Sequence, residues 1–253
     1  AVKTMLSSWH NFFFVSFDSG GFVSVDKPPV GLWVQAVSAW LFGFSGFSLL
    51  VPQALAGVAS VALLYYLVRR AFGPTAGLIA ALVLAVTPIS VAADRNNTMD
   101  SLLVLTSLLA AWAATLAAES GRLRWLLLCA ALVGLGFNIK MLQATLVLPA
   151  LFLLYLAAAP LDWRKRLLHL GAATGVLAAV SLSWAVAVDL TPADERPYVG
   201  SSKDNTVMEL ITGHNGVSRL GSLAGLIGLD SGSPGPGGRP PAGPPPGVRL
   251  PPG

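Results

Sequence analysis

The sequence predicts an all-α fold: a polytopic transmembrane helical bundle, partial, with interfacial juxtamembrane helices and a disordered Pro/Gly-rich tail. Three observations carry this. Only 11% of the 253 residues are charged and 54% are hydrophobic, against about 25% charged in soluble domains; mean hydropathy is +0.68. Uncharged apolar runs recur near the length a helix needs to cross hydrocarbon, about 20 residues. Basic clusters occupy every second connection between those runs.

The runs are Leu49–Val68, Ala71–Ala93, Ser101–Ala118, Trp125–Ile139, Met141–Leu161 and Leu170–Val188, which predicts six spans. Arg69 and Arg70 follow the first, Arg122 and Arg124 the third, and Arg164, Lys165 and Arg166 the fifth. These three connections share one face, and the positive-inside rule makes it cytoplasmic. The other face then collects residues 1–48, the stretch Asp94–Asp100, the turn Asn138–Lys140 and the loop 189–229. The net charge of +4, from 16 basic and 12 acidic residues, fits span-flanking cations and is too small and scattered for a nucleic-acid footprint. Cys129 is the one cysteine and reads as a packing residue inside a span.

No charge occurs from Pro28 to Val68. Gly43 and Gly46 interrupt this run, so one crossing is expected after the break and an interfacial helix before it. There Trp33, Val37, Trp40 and Leu41 share a face, with Gln35, Ser38 and Ala39 off it. Val2, Met5, Leu6, Trp9 and Phe13 predict a second interfacial helix. From Ser231 to Gly253, 16 of 23 residues are Pro or Gly, and 230–253 is expected to be disordered. The chain opens at Ala1 without a targeting signal and reads as a piece of a longer protein.

Polar residues concentrate in four places. Asp26-Lys27-Pro28-Pro29 sets acid and ammonium side by side before an apolar helix. The bland reading is a helix cap; the functional one is a phosphate grip with a carboxylate for a metal or hydroxyl. Asp94-Arg95-Asn96-Asn97-Thr98-Met99-Asp100 carries more polarity at a membrane boundary than a cap needs. Lys140 stands alone between two apolar runs. The loop from Asp189 holds Tyr198, Lys203, Asp204, Asn205, Glu209, His214, Asn215 and Arg219; a lone histidine such as His214 is more often neither ligand nor base. Gly134 and Gly136 lie inside a span and are read as helix-packing residues, not as a nucleotide loop.

Asp26-Lys27-Pro28-Pro29, Leu41-Phe42-Gly43, Arg69-Arg70-Ala71-Phe72-Gly73, Thr87-Pro88, the Arg95–Asp100 turn and Gly134-Leu135-Gly136-Phe137-Asn138-Ile139-Lys140 together resemble bacterial GT-C glycosyltransferases. These are the protein O-mannosyltransferase and lipid A aminoarabinose transferase group. Arg196-Pro197-Tyr198-Val199-Gly200-Ser201-Ser202 and Gly213-His214-Asn215-Gly216 are similar to an actinobacterial mannosyltransferase-like branch. The resemblance covers about Ala1 to Leu220. It implies a plasma-membrane enzyme with its active site on the extracytoplasmic face. That enzyme moves a sugar, mannose or a related hexose, from a polyprenyl-phosphate carrier to a hydroxyl of a lipid, glycan or protein. It further implies Asp26 and Asp100 as catalytic carboxylates, Lys27 and Lys140 as phosphate contacts, and Asp26 as ligand of a divalent metal. Arg95 joins them here as a phosphate contact. His214 does not follow the family's metal-binding histidine, and the family's presumed base lies in a region before Ala1. Two other readings compete: a transporter or flippase for a lipid-linked or polar solute, whose charges would line a pathway, and a piece without activity of its own.

Overall fold

The computed structural model describes residues 1–213; the Pro/Gly-rich segment, His214, Asn215 and Arg219 lie outside the described residues. Two short helices, α1 (Val2–Met5) and α2 (Trp9–Phe13), precede α3 (Pro29–Phe42). The bundle follows as α4 (Gly46–Phe72), α5 (Pro74–Val86), α6 (Pro88–Asp94), α7 (Asp100–Ser120), α8 (Leu123–Lys140), a 3₁₀ segment Met141–Val147, α9 (Leu148–Ala158) and α10 (Trp163–Asp189); α11 (Val207–Thr212) lies in the last loop.

The single N-terminal interfacial helix expected from sequence is instead two. The Ser8 side chain accepts from the Asn11 amide and starts a new helix at Trp9, which breaks the shared face. The boundary between α3 and α4 falls at the predicted interruption. Gly43 takes φ +79°, and Ser45 and Ser48 cap α4 reciprocally, at 3.2 and 3.1 Å. The 27 residues of α4 span about 40 Å at 1.5 Å per residue. The sequence after α4 does not form one straight helix over 71–93. It bends by 63° between Pro74–Val86 and Pro88–Asp94. Pro88 removes a backbone donor and holds Thr87 extended, at φ −64° and ψ 118°.

By length and composition four helical stretches can cross a membrane, Gly46–Phe72, Asp100–Ser120, Leu123–Ala158 and Trp163–Asp189, and five if the bent pair is one span. The six runs read from sequence differ from this count at Leu123–Ala158, which is not straight. Met141 has φ +44°, and Ala144 returns to within 3.2 Å of where a Gly136 Cβ would sit. At the far end Leu161 lies 3.1 Å from the equivalent position on Gly121. Residues 141–161 therefore run back through the thickness that α7 and α8 traverse.

Burial follows the logic of a protein in lipid. The α7 face toward its neighbours is alanine: Ala110, Ala113, Ala114 and Ala117 have no exposed surface. Gly134 lets α10 approach, since a Cβ there would lie 2.8 Å from Val180. Leu55, Val58, Leu78, Ile79, Leu82 and Val83 are instead mostly exposed. Without a hydrophobic drive between helices in hydrocarbon, small residues set the contacts and large ones face outward.

The two ends of the bundle differ as the basic clusters predicted. Arg70 pairs with Glu119, and Gly121 meets Pro160 and Leu161, so the three basic connections form one end. Residues 1–45, 94–100, 138–141 and 189–213 form the other.

Candidate active site

Four segments converge at the non-basic end. α3 lies across the start of α7: a Cβ on Gly31 would fall 2.6 Å from Met99 Cγ, and Gln35 Nε2 donates to Asn97 Oδ1 at 2.7 Å. The face of α3 carrying Gln35, Ser38 and Ala39 is buried in the protein, while Val37, Trp40 and Leu41 are exposed. Trp33 departs from them, half-buried, with its indole N–H on the Phe12 carbonyl at 2.8 Å. The helix thus packs its polar face inward and turns most of its apolar face out. The last loop reaches the same place. Ser24 N donates to Tyr198 O at 2.9 Å, and Gly200 packs so closely on the Ser24 carbonyl that it has no room for a side chain.

This packing places all five predicted site residues at one end. Lys27 Nζ lies 2.8 Å from Asp26 Oδ2, both groups partly exposed. Lys140, the last residue of α8, pairs with Asp100, the first of α7. Asp100 is therefore no cap: Met99 precedes the helix without a side-chain capping bond, and the carboxylate reaches across to the neighbouring helix. Nor is Asp26 a cap, since Pro28 holds that position on α3. Arg95 is exposed, and its guanidinium makes no hydrogen bond or ion pair to any described residue.

Other polar residues of these segments serve structure. Asn138 Nδ2 donates to Val180 O at 2.8 Å and to Gly134 O at 3.1 Å, tying α8 to α10. Asn205 Oδ1 accepts from Val199 N at 2.8 Å and Arg196 at 3.2 Å. Asp189 accepts from the first amides of α11, Val207 at 2.7 Å and Met208 at 3.0 Å. Glu209 accepts from the Lys203 amide. The 189–213 loop is thereby held by its own side chains.

Among the described residues no three of His, Cys, Asp or Glu converge as a ligand set, and Asp26 shares its carboxylate with the Lys27 ammonium.

Read from sequence, Asp94 is named only as part of the polar Asp94–Asp100 turn, and Gln53 is not singled out. The bend at Thr87 swings α6 back over α4 and lays the Asp94 carboxylate on Gly57, where a Cβ would be 2.6 Å from Oδ1. Beside it opens a cavity of about 360 Å³ between α4, α6 and α7, lined in part by Ser60, Asp94, Asp100 and Ser101. Gln53, Gly57 and Ser60 follow a helical spacing of four and three, which was a readable signal of a polar stripe on an otherwise apolar helix.

An apolar helical bundle with two acid–lysine pairs at one end is the mark of a membrane protein that handles polar chemistry at a hydrocarbon boundary. Residues 26–184 match the family Dolichyl-phosphate-mannose-protein mannosyltransferase, and the chain belongs to that family. It is similar to "Putative mannosyltransferase YkcB" of Bacillus subtilis (strain 168), at 53% identity over 220 residues, 87% of this chain and 31% of the relative. "Putative mannosyltransferase YycA" of the same organism is 52% identical over 227 residues, 89% and 33% of the two chains. The chain spans about a third of the length of these relatives. The crystal structure of ArnT from Cupriavidus metallidurans in the apo state shares the fold, with TM-score 0.55 and 24% identity over 75% of this chain and 37% of that one.

Proposed function

We propose that this chain forms part of a plasma-membrane glycosyltransferase that moves a sugar, mannose or a related hexose, from a polyprenyl-phosphate carrier to a hydroxyl acceptor on the extracytoplasmic face. The observation that carries this is the gathering of Asp26–Lys27 and Asp100–Lys140 at the end opposite the arginine clusters. The family's description names a lipid-phosphate sugar, and the positive-inside rule puts the arginine end in the cytoplasm. Acceptors of lipid, glycan and protein type are all compatible with that face.

The chemistry follows from the pairs. The sugar–phosphate bond breaks with negative charge growing on the departing phosphate, which Lys27 and Lys140 offset. Arg95, unpaired and exposed, is a third cation for it. A phosphate that takes over an ammonium releases its partner carboxylate. Asp26 or Asp100 can then accept the proton of the attacking hydroxyl. Resting neutrality and working basicity are thus two states of the same pair.

The test is sugar transfer by the full-length protein carrying this chain, reconstituted with a polyprenyl-phosphate hexose. Lys27→Ala is expected to abolish most of the transfer. Transfer at the unsubstituted rate would remove the phosphate assignment. Solute uptake by proteoliposomes with no sugar transfer would favour a transporter instead.

A further inference from the structure

We propose that the cavity between α4, α6 and α7 seats the sugar ring of the donor, with Asp94 as acceptor for its hydroxyls. This rests on the carrier-lipid reading above and names a part of that site.

The carboxylates of Asp26, Asp94 and Asp100 are not equivalent. Asp26 and Asp100 face lysines. The half-buried Asp94 carboxylate makes no hydrogen bond or ion pair to any described residue. Its position is built: Gly57 is the one residue type on which its carboxylate can rest, because any Cβ there would occupy the space of the carboxylate itself.

The surroundings hold further unmet hydrogen-bonding capacity. Ser101 lines the cavity, is 3% exposed, and its hydroxyl has no partner. Native interiors rarely leave such groups unmet, and each one calls for an explanation. A polar occupant that brings donors and acceptors supplies it.

The lining decides the class of occupant. It includes no Lys, Arg or His, so nothing there answers an anion, and the uncompensated Asp94 repels one. Leu84, Ile89 and Val104 supply apolar wall, while Asp94, Asp100 and Ser101 make an all-hydrocarbon guest costly to bury. A neutral ring with hydroxyls on its edge and C–H groups on its face answers both. The volume of about 360 Å³ sits at the lower end of small-molecule sites, about 300–1,000 Å³, which suits a single ring and not a polyprenyl chain. Position agrees as well. Asp100 both lines the cavity and pairs with Lys140, so a phosphate held at Lys140 delivers its attached sugar to this opening.

The experiment measures binding of two probes to the full-length protein in lipid nanodiscs, a polyprenyl monophosphate and the same lipid carrying a hexose, for the unsubstituted protein, Asp94→Asn and Gly57→Ala. The first variant removes the charge at nearly constant shape. The second displaces the carboxylate by its movable end, and alanine suits a helix better than glycine. Both are expected to weaken the hexose-bearing lipid about tenfold or more, the scale of losing charge-assisted hydrogen bonds. Both should leave the bare phosphate lipid within about twofold. Unchanged binding of the hexose lipid by both variants overturns the proposal, and so does equal loss of both lipids. If the unsubstituted protein binds the hexose lipid no better than the bare one, the sugar subsite falls while the carrier reading stands. If it binds neither, the carrier reading falls first and takes the subsite with it.

Discussion

The two ends of this bundle carry charge in different ways. At the basic end five arginines have a local, structural use. Arg70 pairs with Glu119, and Arg166 donates to the Leu156 and Leu161 carbonyls at the end of α9. Arg69, Arg124 and Arg164 lie over Tyr65, Trp125 and Trp163, at 5.7, 5.2 and 5.6 Å from the ring centroids. Such arginine–aromatic neighbours at helix ends anchor a bundle at a membrane surface. At the other end Lys27 and Lys140 face carboxylates, the Asp94 carboxylate has no cation beside it among the described residues, and the buried Ser101 hydroxyl stays unmatched in the wall of a cavity. Anchoring needs satisfied cations, whereas chemistry needs groups whose partners can be exchanged.

The largest expected effect tests that contrast directly. In the full-length protein, Lys27→Ala or Lys140→Ala is expected to lower kcat for sugar transfer about 100-fold or more, the scale of removing one group that stabilises developing charge. Arg70→Ala, at the anchoring end, is expected to stay within about threefold, since exposed ion pairs contribute about 0–1 kcal/mol. Equal losses at both ends would dissolve the distinction.

Next in size are the backbone crossings of the polar end. A Cβ at Gly200 strikes the Ser24 carbonyl, a backbone atom with little freedom to yield. Gly200→Ala is expected to cost about 3 kcal/mol, in the range of severe single substitutions, read as a lower midpoint of thermal unfolding in detergent. Gly171→Ala, within α10 and with open space around its Cβ position, is expected to leave the midpoint unchanged or slightly raised.

How much of this could be read in advance follows from what fixes each feature. The basic clusters predicted the two-ended layout because their alternation depends only on the order of residues along the chain. Asp26-Lys27 was legible because chain neighbours can meet without any knowledge of the fold. Asp100 and Lys140 were legible as unusual residues and, as separate candidates, on one face. That they form one pair depends on α7 and α8 being adjacent and antiparallel, which composition does not state. Asp94 was legible as part of a polar turn, but its place against Gly57 was not. Its place depends on a 63° bend at Thr87-Pro88, and an apolar run interrupted by one proline reads equally well as a continuous span. The inward polar face of α3 was hidden for a related reason. In a soluble protein the apolar face packs inward, whereas Gln35 here meets Asn97 because lipid takes the apolar side.

A smaller effect is expected where a polar side chain joins two helices. Asn138→Ala removes bonds from α8 to the Val180 and Ser181 carbonyls of α10. The expected loss is about 0.6–1.7 kcal/mol, the range for side-chain hydrogen bonds between membrane helices. It should appear in equilibrium unfolding in mixed micelles, with little change in lipid-carrier binding. A large loss of carrier binding would mean that Asn138 belongs to the site and not to its frame.

The smallest effect concerns the loop that leads to Asp26. Asp18 accepts from the Val23 amide at 2.9 Å and the Phe22 amide at 3.2 Å, and these bonds, Val23 first, hold its carboxyl below the usual 3.8. A depressed folded value means that the unfolded chain binds the proton more readily. The contribution is therefore complete above the unfolded value and fades as pH falls through the folded one, in the acid range below about pH 4. Hydrogen exchange at the Phe22 and Val23 amides is expected to quicken across that window beyond the intrinsic trend, and Asp18→Asn is expected to flatten the response. The basic end has no such carboxylate–amide turn among the described residues, so amides near Arg122 and Arg164 should follow the intrinsic pH trend alone. A matching acid transition there would show a global loosening of the bundle and would detach this effect from Asp18.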